Sequence, residues 1–497
     1  MRNKLYFGDN LEVMREMDNE IIDLCCTDPP FNSGRNYNIF LDSEAQKQAF
    51  KDIWKWDDSS EESREDIKTR SKQVDGEIYK SVNETLTGYD YILQKKQTGW
   101  RGSMRSYLAF MAPRLVEIHR LLKNSGSFYL HCDPSASHYL KTLLDTIFDS
   151  TNLKENNYFR TELIWWYHWG RHTPKNWNRK HDVILYYCKN PKLVFFDGTR
   201  VRVPYGGTSG GMTQDPRYNK SYHEDGKLPE DVLNIPIINT RSKERTGYPT
   251  QKPLALYQPI IKSSSNEGDV ILDPFAGCGT TIDAAQSLNR KWIGIDITLL
   301  ALEPIKRRIY ERHNLKSVID YDMEGYPTNM QEVELLVNNQ KRYHDFSDWA
   351  VTRLGLKPTK KTGDGGYDGV GHFTLWIPEG MEQTSGTVMA EVKSGKPSIN
   401  QVRSFCHSMN ENNAIAGVFI TLHKVSAGMR ELADRMGTFE HNGKEYKRLQ
   451  FWQITQEYFD NPDSINRIIK LPKSVVTSKK MDPYIVDDQI DLLEAVG

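Results

Sequence analysis

Hydrophobic and polar residues alternate over much of the chain in a way that predicts parallel strands separated by helices. Two segments that begin at Ser106 and Ala136 carry apolar residues at spacings of three and four, which is typical of helices. The first of them should end at Gly126. The runs that predict strands are LYF, IIDLCCTD, SFYLHCD, DVILDPF and KWIGIDI. This alternation favours an α/β fold in which helices cover a parallel sheet.

Two stretches depart from this alternation. Residues 41–105 contain the charged runs DDSSEESRED and KTRSKQ, which predict an irregular, solvated surface insertion. Residues from about 160 to 247 break into aromatic, basic and Gly-rich pieces, and the regular pattern resumes at Leu256. The regular strands and helices of the first domain are therefore predicted outside these two stretches.

A second α/β unit follows, with strands predicted in TVMAEVKS and AGVFITL. A chain of 497 residues has room for two to four domains of ordinary size. We therefore divide it into a first domain at residues 1–320, a linker at 321–342, a smaller α/β domain at 343–473 and a tail at 474–497.

The composition is that of a globular protein, with 38% hydrophobic and 26% charged residues. The net charge is −1, so binding of nucleic acid would depend on local basic surfaces. The six cysteines form no CxxC pair, which predicts buried, reduced thiols rather than a zinc site. Neither a signal peptide nor an apolar run of membrane-spanning length is present in the sequence, and we expect a cytoplasmic protein.

A Gly-rich turn, DPFAGCGTT at residues 273–281, lies between a predicted strand and a predicted helix. Its glycines allow a sharp turn close to a ligand, and the following helix offers free N–H groups. The turn does not match the phosphate-binding pattern GxxxxGK[ST]. The next strand ends at Asp296, where a carboxylate can hold the two hydroxyls of a ribose. These features predict a site for a nucleoside-containing ligand.

A second loop, TDPPF at residues 27–31, follows an apolar strand near the N-terminus. Pro29 and Pro30 cannot continue a strand or a helix, so the strand must end there in a rigid loop. The loop presents Asp28 at the carboxyl end of the strand.

DPFAGCGTT, GIDI, TQKPLAL and TDPPF together closely resemble the motifs of the amino-methylating DNA methyltransferases. The resemblance covers about residues 4–315, and the order of the motifs is the permuted order of the beta group, which includes adenine-modifying subunits of type III restriction systems. It implies a Rossmann-like methyltransferase fold with circularly permuted motifs that uses S-adenosylmethionine.

The resemblance also implies roles for individual residues. Asp296 would hold the ribose of S-adenosylmethionine, and Asp9 would approach its adenine. The remaining residues implied at the cofactor are Thr250 and Lys252, at the methionine carboxylate, and Asp273, Phe275, Gly277, Gly279 and Thr280, which would line the site. Taken singly, the glycines could serve a tight turn, Asp296 a helix cap and Lys252 a solvated charge, but their joint spacing favours the cofactor.

Asp28, Pro29, Pro30 and Phe31 are the residues implied in methyl transfer. An exocyclic amine is a poor nucleophile because its lone pair is delocalised into the ring. The Asp28 carboxylate and the Pro29 carbonyl can accept its two hydrogens and free the lone pair, while Phe31 stacks on a base swung out of the duplex. In the resembling enzymes an acidic first residue favours adenine N6, with cytosine N4 as the alternative. Methylation at cytosine C5 is excluded because no cysteine follows a proline.

Residues 160–247 are predicted to read double-stranded DNA. Aromatic and basic residues are interleaved here, which suits stacking and phosphate contacts, although at least one of Trp165 and Trp166 should be buried. In the resembling enzymes the target-recognition region falls at about residues 197–245. The candidate DNA contacts there are Arg200, Arg202, Arg217, Arg241 and Arg245, although a solvated loop charge is the commoner fate of any single one.

The second domain carries GDGGYDG at residues 363–369, which includes Asp368, followed by AEVKS at residues 390–394. Glu391 and Lys393 lie two residues apart on one strand and therefore share a face. Asp368 and Glu391 could bind Mg²⁺, while Lys393 steadies the attacking water or the phosphate. Over about residues 343–455 the pattern resembles the Mrr-type PD-(D/E)xK nucleases, although no proline precedes Asp368. An acid from the first helix could be Asp345, Asp348 or neither.

The leading interpretation is a site-specific DNA methyltransferase with a C-terminal nuclease-like domain, which would fit a restriction–modification protein in a single chain. Enzymes of the resembling beta group are often dimers, so a homodimer or a partner subunit of a restriction system is a candidate partner. Three alternatives stay open. The C-terminal domain could bind only DNA or a partner subunit, the chain could be a non-catalytic assembly subunit, or the substrate could be RNA or protein. The intact TDPPF argues against a non-catalytic subunit, and the order of the motifs favours DNA.

Overall fold

The computed structural model forms two compact units, one ending at Asp322 and the other beginning at Met323. It describes residues 1–31, 54–73, 76–148, 158–167, 173–204, 223–239, 241–246, 248, 250–317, 319–325, 327, 329–338, 343–354, 356–359, 367–375, 384–441, 444–460, 465 and 468–471. The fold is described for these residues, and each unit is taken by itself.

The first unit contains an extended sheet flanked by helices. Its elements are β1 (Lys4–Phe7), α1 (Asn10–Arg15), β2 (Ile22–Thr27), α2 (Asp58–Arg70), α3 (Glu77–Ile92), α4 (Gly99–Leu121), β3 (Leu122–Cys132), α5 (Ser137–Phe148), β4 (Phe159–Trp166), β5 (His181–Cys188), β6 (Val232–Asn234), α6 (Leu254–Ser264), β7 (Val270–Asp273), α7 (Thr280–Ser287), β8 (Lys291–Asp296) and α8 (Leu299–His313). A short strand, β9 (Asp322–Glu324), closes one edge of the sheet.

The strand order is β6-β4-β5-β3-β2-β7-β8-β1-β9. Strands β3, β2, β7, β8 and β1 are parallel neighbours, whereas β5 runs antiparallel to both β3 and β4. The carboxyl ends of the parallel strands and the amino end of β5 therefore meet at one side of the sheet, which we call the carboxyl edge. Ligands of open α/β sheets bind at this edge.

The strands predicted from apolar runs correspond to β1, β2, β3, β7 and β8. The helix predicted from Ser106 to Gly126 is wrong in its end, because the helix α4 stops at Leu121 and strand β3 begins at the next residue. The polar segment that follows Leu122 belongs to the strand, because β2 pairs with β3 there, with Ile22 opposite Leu122 and Leu24 opposite Ser127. The last carbonyl groups of a continued helix would have had no backbone partner.

The prediction of an irregular surface insertion at residues 41–105 is wrong for its described part. Helices α2 and α3 lie there and bury Ile67, Val82 and Leu86 in the core of the first unit. Many of the charged residues are exposed, whereas Asp90 pairs with Arg64 and Arg105 and all three of these side chains are largely enclosed. An amphipathic helix packs on the core through one apolar stripe, and its other faces can be charged. The many charges of α2 and α3 therefore made the helical spacing of their few apolar residues hard to recognise in the sequence.

The stretch from about 160 to 247 extends the sheet through β4, β5 and β6, although residues 205–222 lie outside the described part. Six consecutive residues of β5, from Val183 to Cys188, are buried. Because successive side chains of a strand point to opposite faces, both faces of the sheet are covered at β5, as at a central strand.

The second unit contains α9 (Met330–Asn338), α10 (Tyr343–Arg353), β10 (Lys357–Pro358), β11 (Gly369–Leu375), β12 (Thr384–Lys393), α11 (Ile399–Glu411), β13 (Ala416–Thr421), α12 (Ala427–Arg435), β14 (Thr438–His441), β15 (Lys444–Lys447), β16 (Leu449–Gln453) and α13 (Gln456–Asp460). Its sheet has the order β10-β11-β12-β13-β16, with β12, β13 and β16 parallel. The two predicted strands are β12 and β13.

The predicted linker at residues 321–342 contains β9 and the helix α9, which buries Val333 and Leu336. Residues three apart lie on the same side of a helix, so Val333 and Leu336 can be buried together. The predicted tail at residues 474–497 lies outside the described residues.

All six cysteines are buried and free, which confirms the prediction of reduced thiols. Among the described residues, no helix is both long enough and apolar enough to span a membrane.

The buried face of the insertion can be tested with Leu86→Ala. Leu86 is fully enclosed, so its truncation should lower the free energy of unfolding by about 2–5 kcal/mol, as for other core leucines. Urea titration followed by circular dichroism measures this change. Tyr91→Ala in the same helix is the control, because Tyr91 is 85% exposed and its truncation should change stability by less than about 0.5 kcal/mol. If both substitutions lowered the free energy of unfolding equally, the burial of Leu86 in the core of the first unit would be contradicted.

Candidate active sites

The Gly-rich loop connects β7 to α7 at the carboxyl edge of the first unit. Gly277 and Gly279 both have positive φ, 51° and 76°, which side chains with a Cβ adopt rarely. At Gly279 a Cβ would also lie 2.9 Å from Ile305 Cγ1, in helix α8. The glycine at 279 is thus required both by the turn and by close packing of α8.

Asp273 ends β7 and is buried beneath this loop. Its Oδ1 accepts hydrogen bonds from Thr27 Oγ1 at 2.7 Å and from the Phe275 N–H at 3.1 Å. Burial raises the pKa of Asp273 to about 6 despite these hydrogen bonds. The carboxylate therefore joins the loop after β2 to the loop after β7.

Asp296 ends β8 on the other side of the loop. Its Oδ2 accepts the Gly277 N–H at 2.8 Å, and its Oδ1 accepts the Thr298 N–H at 2.8 Å. Burial raises the pKa of Asp296 to about 6. Oδ1 also accepts the Thr298 hydroxyl at 2.9 Å. A carboxylate can accept about four hydrogen bonds, so Oδ2 keeps capacity for a ribose hydroxyl.

Asp9 follows β1 at the same edge and caps α1, where it accepts the Leu11 N–H at 2.8 Å. Its other oxygen binds buried Arg114 at 2.8 Å. The adjacent Asn10 donates to the Pro274 carbonyl at 2.7 Å. Asp9 thus lies beside the Gly-rich loop, although its contacts in this structure are those of a helix cap.

Two other residues implied at the cofactor make contacts that differ from the expectation. The Thr280 hydroxyl donates to the Lys252 carbonyl at 3.2 Å and accepts from Arg308, which gives it a packing role. The Lys252 ammonium is bonded to Asp28, whereas the resemblance implied the methionine carboxylate. Thr250 is partly buried in the loop before α6.

Asp28 lies in the rigid loop after β2. Its Oδ2 is paired with Lys252, while its Oδ1 is buried and has no hydrogen-bond partner in the part of the chain that the structure describes. The Phe31 ring lies beneath the same ammonium, 4.8 Å from Lys252 Nζ to the ring centroid. A buried oxygen without a donor is costly, which indicates a position that a ligand completes.

Three residues that the sequence did not single out surround Asp28. His131, near the end of β3, has its Nδ1 3.7 Å from Asp28 Oδ1 and 3.3 Å from the Tyr257 hydroxyl. Its Nε2 lies 3.3 Å from Asp182 Oδ2, at the amino end of β5. The signal in the sequence is only that His131 lies near the end of a predicted strand and Asp182 near the beginning of an overlooked one, whereas Tyr257 lies in helix α6.

Aromatic rings enclose the same place. His131 lies 5.5 Å from the Phe31 ring and 5.6 Å from the Trp165 ring, measured between centroids. Trp165 is buried and Trp166 is 38% exposed, which confirms that at least one of the two is buried. The carboxyl edge therefore offers an unpaired carboxylate oxygen among aromatic side chains.

The arginines proposed for DNA contact differ in their surroundings. Arg200 binds Asp197 and the Ser265 carbonyl, and Arg202 donates to the Gly226 carbonyl, so both brace loops of the protein. Arg241 and Arg245 are exposed, and Arg217 lies outside the described residues.

The second unit brings Asp368, Glu391 and Lys393 together. Asp368 precedes β11, and its Oδ2 accepts the Val392 N–H at 2.7 Å. Glu391 on β12 is hydrogen-bonded to Asp368 and paired with Lys393. Burial, together with the nearby Asp368 carboxylate, raises the pKa of Glu391 to about 7. Two carboxylates held this close suit a divalent cation.

The third acid of the second unit is not identified. Asp348 is buried in α10, and the side chain of Asp345 lies outside the described residues. Within those residues, no group of three or more His, Cys, Asp or Glu side chains is arranged to hold a metal ion.

The strand order and the loops after β2, β7 and β8 define a Rossmann-like methyltransferase with a smaller restriction-endonuclease-like domain. Residues 22–307 match the N6_N4_Mtase family, described as DNA methylase. The match covers more than half of the chain, so the protein belongs to this family of S-adenosylmethionine-dependent DNA methyltransferases. Residues 330–441 match Mrr_cat, described as restriction endonuclease, and the C-terminal unit is thus an Mrr-like nuclease domain.

Several relatives are similar over the methyltransferase part. The type II methyltransferase M.HpaI of Haemophilus parainfluenzae is 26% identical over 333 residues, which are 67% of this chain and 82% of the relative. The DNA adenine methyltransferase YhdJ of Escherichia coli K12 is 25% identical over 292 residues, 58% and 76% of the two chains. A solved structure of PvuII DNA methyltransferase (cytosine-N4-specific) aligns with 63% of this chain and 88% of its own, at 16% identity and a TM-score of 0.39.

The raised pKa of Asp273 has a measurable consequence. Because its native pKa is about 6, above the ordinary 3.8, Asp273 stabilises the native state below about pH 4, and this contribution is lost as the pH rises through 6. The free energy of unfolding of the wild type relative to Asp273→Asn should therefore fall by roughly 2–3 kcal/mol between about pH 4 and about pH 7. Urea titrations over this range measure the difference. The exposed Asp58→Asn is the control and should show no comparable trend.

Proposed function

We propose that this protein transfers a methyl group from S-adenosylmethionine to N6 of adenine at specific sites in double-stranded DNA. We further propose that its C-terminal domain cleaves DNA with Mg²⁺. The observation that carries the first proposal is the buried, unpartnered Oδ1 of Asp28, set among aromatic rings beside the Gly-rich loop.

The Asp28 oxygen would accept one hydrogen of the target amine. The carbonyl of buried Pro29, held in direction by the following proline, would accept the other. Phe31 would stack on the base, which has to leave the duplex because the nitrogen is not reachable inside it. These contacts localise the lone pair for attack on the methyl group, and positioning supplies much of the rate.

Lys252 has a different role in this proposal from the one that the resemblance implies. Its ammonium occupies Oδ2 of Asp28 and so leaves Oδ1 directed toward the aromatic rings. The same ammonium could move to the cofactor's carboxylate when S-adenosylmethionine is bound. Asp296 would hold the ribose of the cofactor, and Asp9 would lie near its adenine.

Adenine is favoured over cytosine by the acidic first residue of TDPPF and by the name of the relative YhdJ as a DNA adenine methyltransferase. Cytosine N4 presents the same kind of amine to the same two acceptors and is the alternative. Identification of the methylated nucleoside by mass spectrometry decides between N6-methyladenine and N4-methylcytosine.

The second activity rests on Asp368, Glu391 and Lys393. The two hydrogen-bonded carboxylates fit the oxygen ligands that Mg²⁺ prefers, and Mg²⁺ there would neutralise charge on the phosphate. Lys393, on the same face of β12 as Glu391, would orient the attacking water or the phosphate. Such a chain, alone or as a homodimer, would combine restriction with modification.

Asp28→Ala is the test of the methyltransferase proposal. The substitution should lower transfer of labelled methyl groups to plasmid DNA from a methylation-deficient host to background, because one of the two acceptors of the amine is lost. The affinity for S-adenosylmethionine, measured by calorimetry, should change by less than about threefold. Asp23→Ala is the control, since Asp23 lies at the start of the same strand and binds Lys123. Methyl transfer by Asp28→Ala at the wild-type rate would refute the assignment.

Lys393→Ala tests the nuclease proposal. We expect the wild type to cleave DNA of one methylation state in the presence of Mg²⁺, and the variant to lose at least about 100-fold in rate because the phosphate or water is no longer oriented. Gel electrophoresis of plasmids with and without modification measures cleavage. Lys396→Ala, at an exposed position three residues away, is the matched control. If wild type and Lys393→Ala are both inactive on all substrates while methylation proceeds, the domain only binds.

A further inference from the structure

His131 is the residue nearest to the unpartnered oxygen of Asp28 that is not yet accounted for. It is completely enclosed, and its two ring nitrogens face Asp28 and Asp182 on opposite sides. Since an enclosed histidine next to the reacting carboxylate needs no such arrangement for packing, the two contacts call for a chemical explanation.

The contacts favour one assignment of the ring hydrogen. A carboxylate only accepts hydrogen bonds, and Asp182 Oδ2 lies 3.3 Å from Nε2, nearer than Asp28 Oδ1 lies to Nδ1, so in the neutral ring we assign the hydrogen to Nε2. Nδ1 then holds a lone pair, 3.3 Å from the Tyr257 hydroxyl and 3.7 Å from Asp28 Oδ1. Asp182 thus fixes the ring so that its basic nitrogen faces the catalytic carboxylate.

Asp182 is itself held as an anion. Its other oxygen accepts the Tyr167 hydroxyl at 3.1 Å. Burial alone would raise the pKa of Asp182, but the hydrogen bonds from His131 and Tyr167 and the nearby Lys252 cation outweigh burial and lower it. A buried carboxylate behind the imidazole stabilises the imidazolium that forms when Nδ1 takes up a proton.

The reaction releases one proton that has to be removed. Attack by the amine breaks the bond between sulfur and the methyl carbon and forms a bond between nitrogen and that carbon. As the new bond forms, the nitrogen becomes positively charged and has one hydrogen in excess. Asp28 Oδ1 is the oxygen that faces this hydrogen in the proposed complex. Its partner Lys252, a cation, offers no lone pair to carry the proton further.

We infer that His131 receives this proton from Asp28, and that Asp182 positions His131 to do so. The proton passes from the amine to Asp28 Oδ1 as the nitrogen–carbon bond forms, and then to His131 Nδ1, where the imidazolium is paired with Asp182. Asp28 returns to its carboxylate form, and the methylated amine is neutral. This inference rests on the proposed role of Asp28, and His131 acts through that residue rather than on the substrate.

The charged and titratable groups that face His131 are Asp28, Asp182, Lys252 through Asp28, and the hydroxyl of Tyr257. Among them only Asp182 contacts Nε2, whereas Tyr257 and Asp28 share Nδ1. The Tyr257 hydroxyl can rotate to accept from Nδ1 once the ring is protonated, so it does not block the transfer.

The test uses His131→Asn and Asp182→Asn in the full-length protein under single-turnover conditions. The asparagine at 131 keeps a hydrogen-bonding group near Nδ1 but cannot take up the proton, so the methylation rate should fall at least about 100-fold. Asp182→Asn keeps the shape and removes only the charge, and the rate should fall at least about tenfold. The affinities for S-adenosylmethionine and for plasmid DNA should stay within about threefold of the wild type in both variants.

His119→Asn is the matched control, because His119 is half-buried and its ring packs against Phe148 rather than against Asp28. It should methylate at the wild-type rate even if its melting temperature falls. A rate within about fivefold of the wild type for either site variant would overturn the relay. If Asp28→Ala is inactive while His131→Asn is active, the relay fails and the proposed function stands. If Asp28→Ala is active, the proposed function fails, whatever the histidine variants do.

Discussion

The methyltransferase site depends on the pairing of two strands that are far apart along the chain. Strands β2 and β7 are parallel neighbours, with Leu24 opposite Ile271 and Cys25 opposite Leu272. This register places the loop after β2 beside the loop after β7, and the hydrogen bond of 2.7 Å from Thr27 to Asp273 joins them. Without this pairing, the residue that would grip the amine and the loop that would hold the methyl donor have no fixed separation. The permuted order of the motifs matters little to the site because the sheet restores their proximity.

The carboxyl edge gathers a set of buried acids whose surroundings differ. Asp273 and Asp296 have raised pKa values because they are buried, and their oxygens accept backbone or hydroxyl hydrogens that hold the Gly-rich loop. Asp28 instead faces a cation on one oxygen and open hydrogen-bonding capacity on the other. One group of acids thus organises the loop, and the remaining acid is left for a ligand. In the second unit, Asp368 and Glu391 are held together by the pairing of β11 with β12.

Much of this architecture could be predicted from the sequence, because strands at the centre of a sheet leave short apolar runs. The prediction for the charged insertion is wrong because α2 and α3 bury few residues among many charged ones. A high content of charged residues indicates a solvated surface but says nothing about helical spacing. The contacts of Lys252 and Thr280 in the structure also differ from those that the resemblance implies, since the partner of a side chain depends on neighbours from distant segments of the chain. His131 and Asp182 carry no motif, and a histidine in an apolar strand is usually part of the core.

The sequence by itself determined the class of protein, the rigid loop that presents Asp28 and the positions of the central strands along the chain. Local features can be recognised from the residues themselves. They include the rigid prolines, the glycines of the tight turn and the acidic residues at the ends of strands. Only the tertiary structure decided that Lys252 contacts Asp28, that Asp28 keeps one oxygen without a partner, and that His131 lies between Asp28 and Asp182. These facts depend on the neighbours that the sheet brings to its carboxyl edge from segments more than 50 residues apart in sequence. No local pattern encodes such a distance.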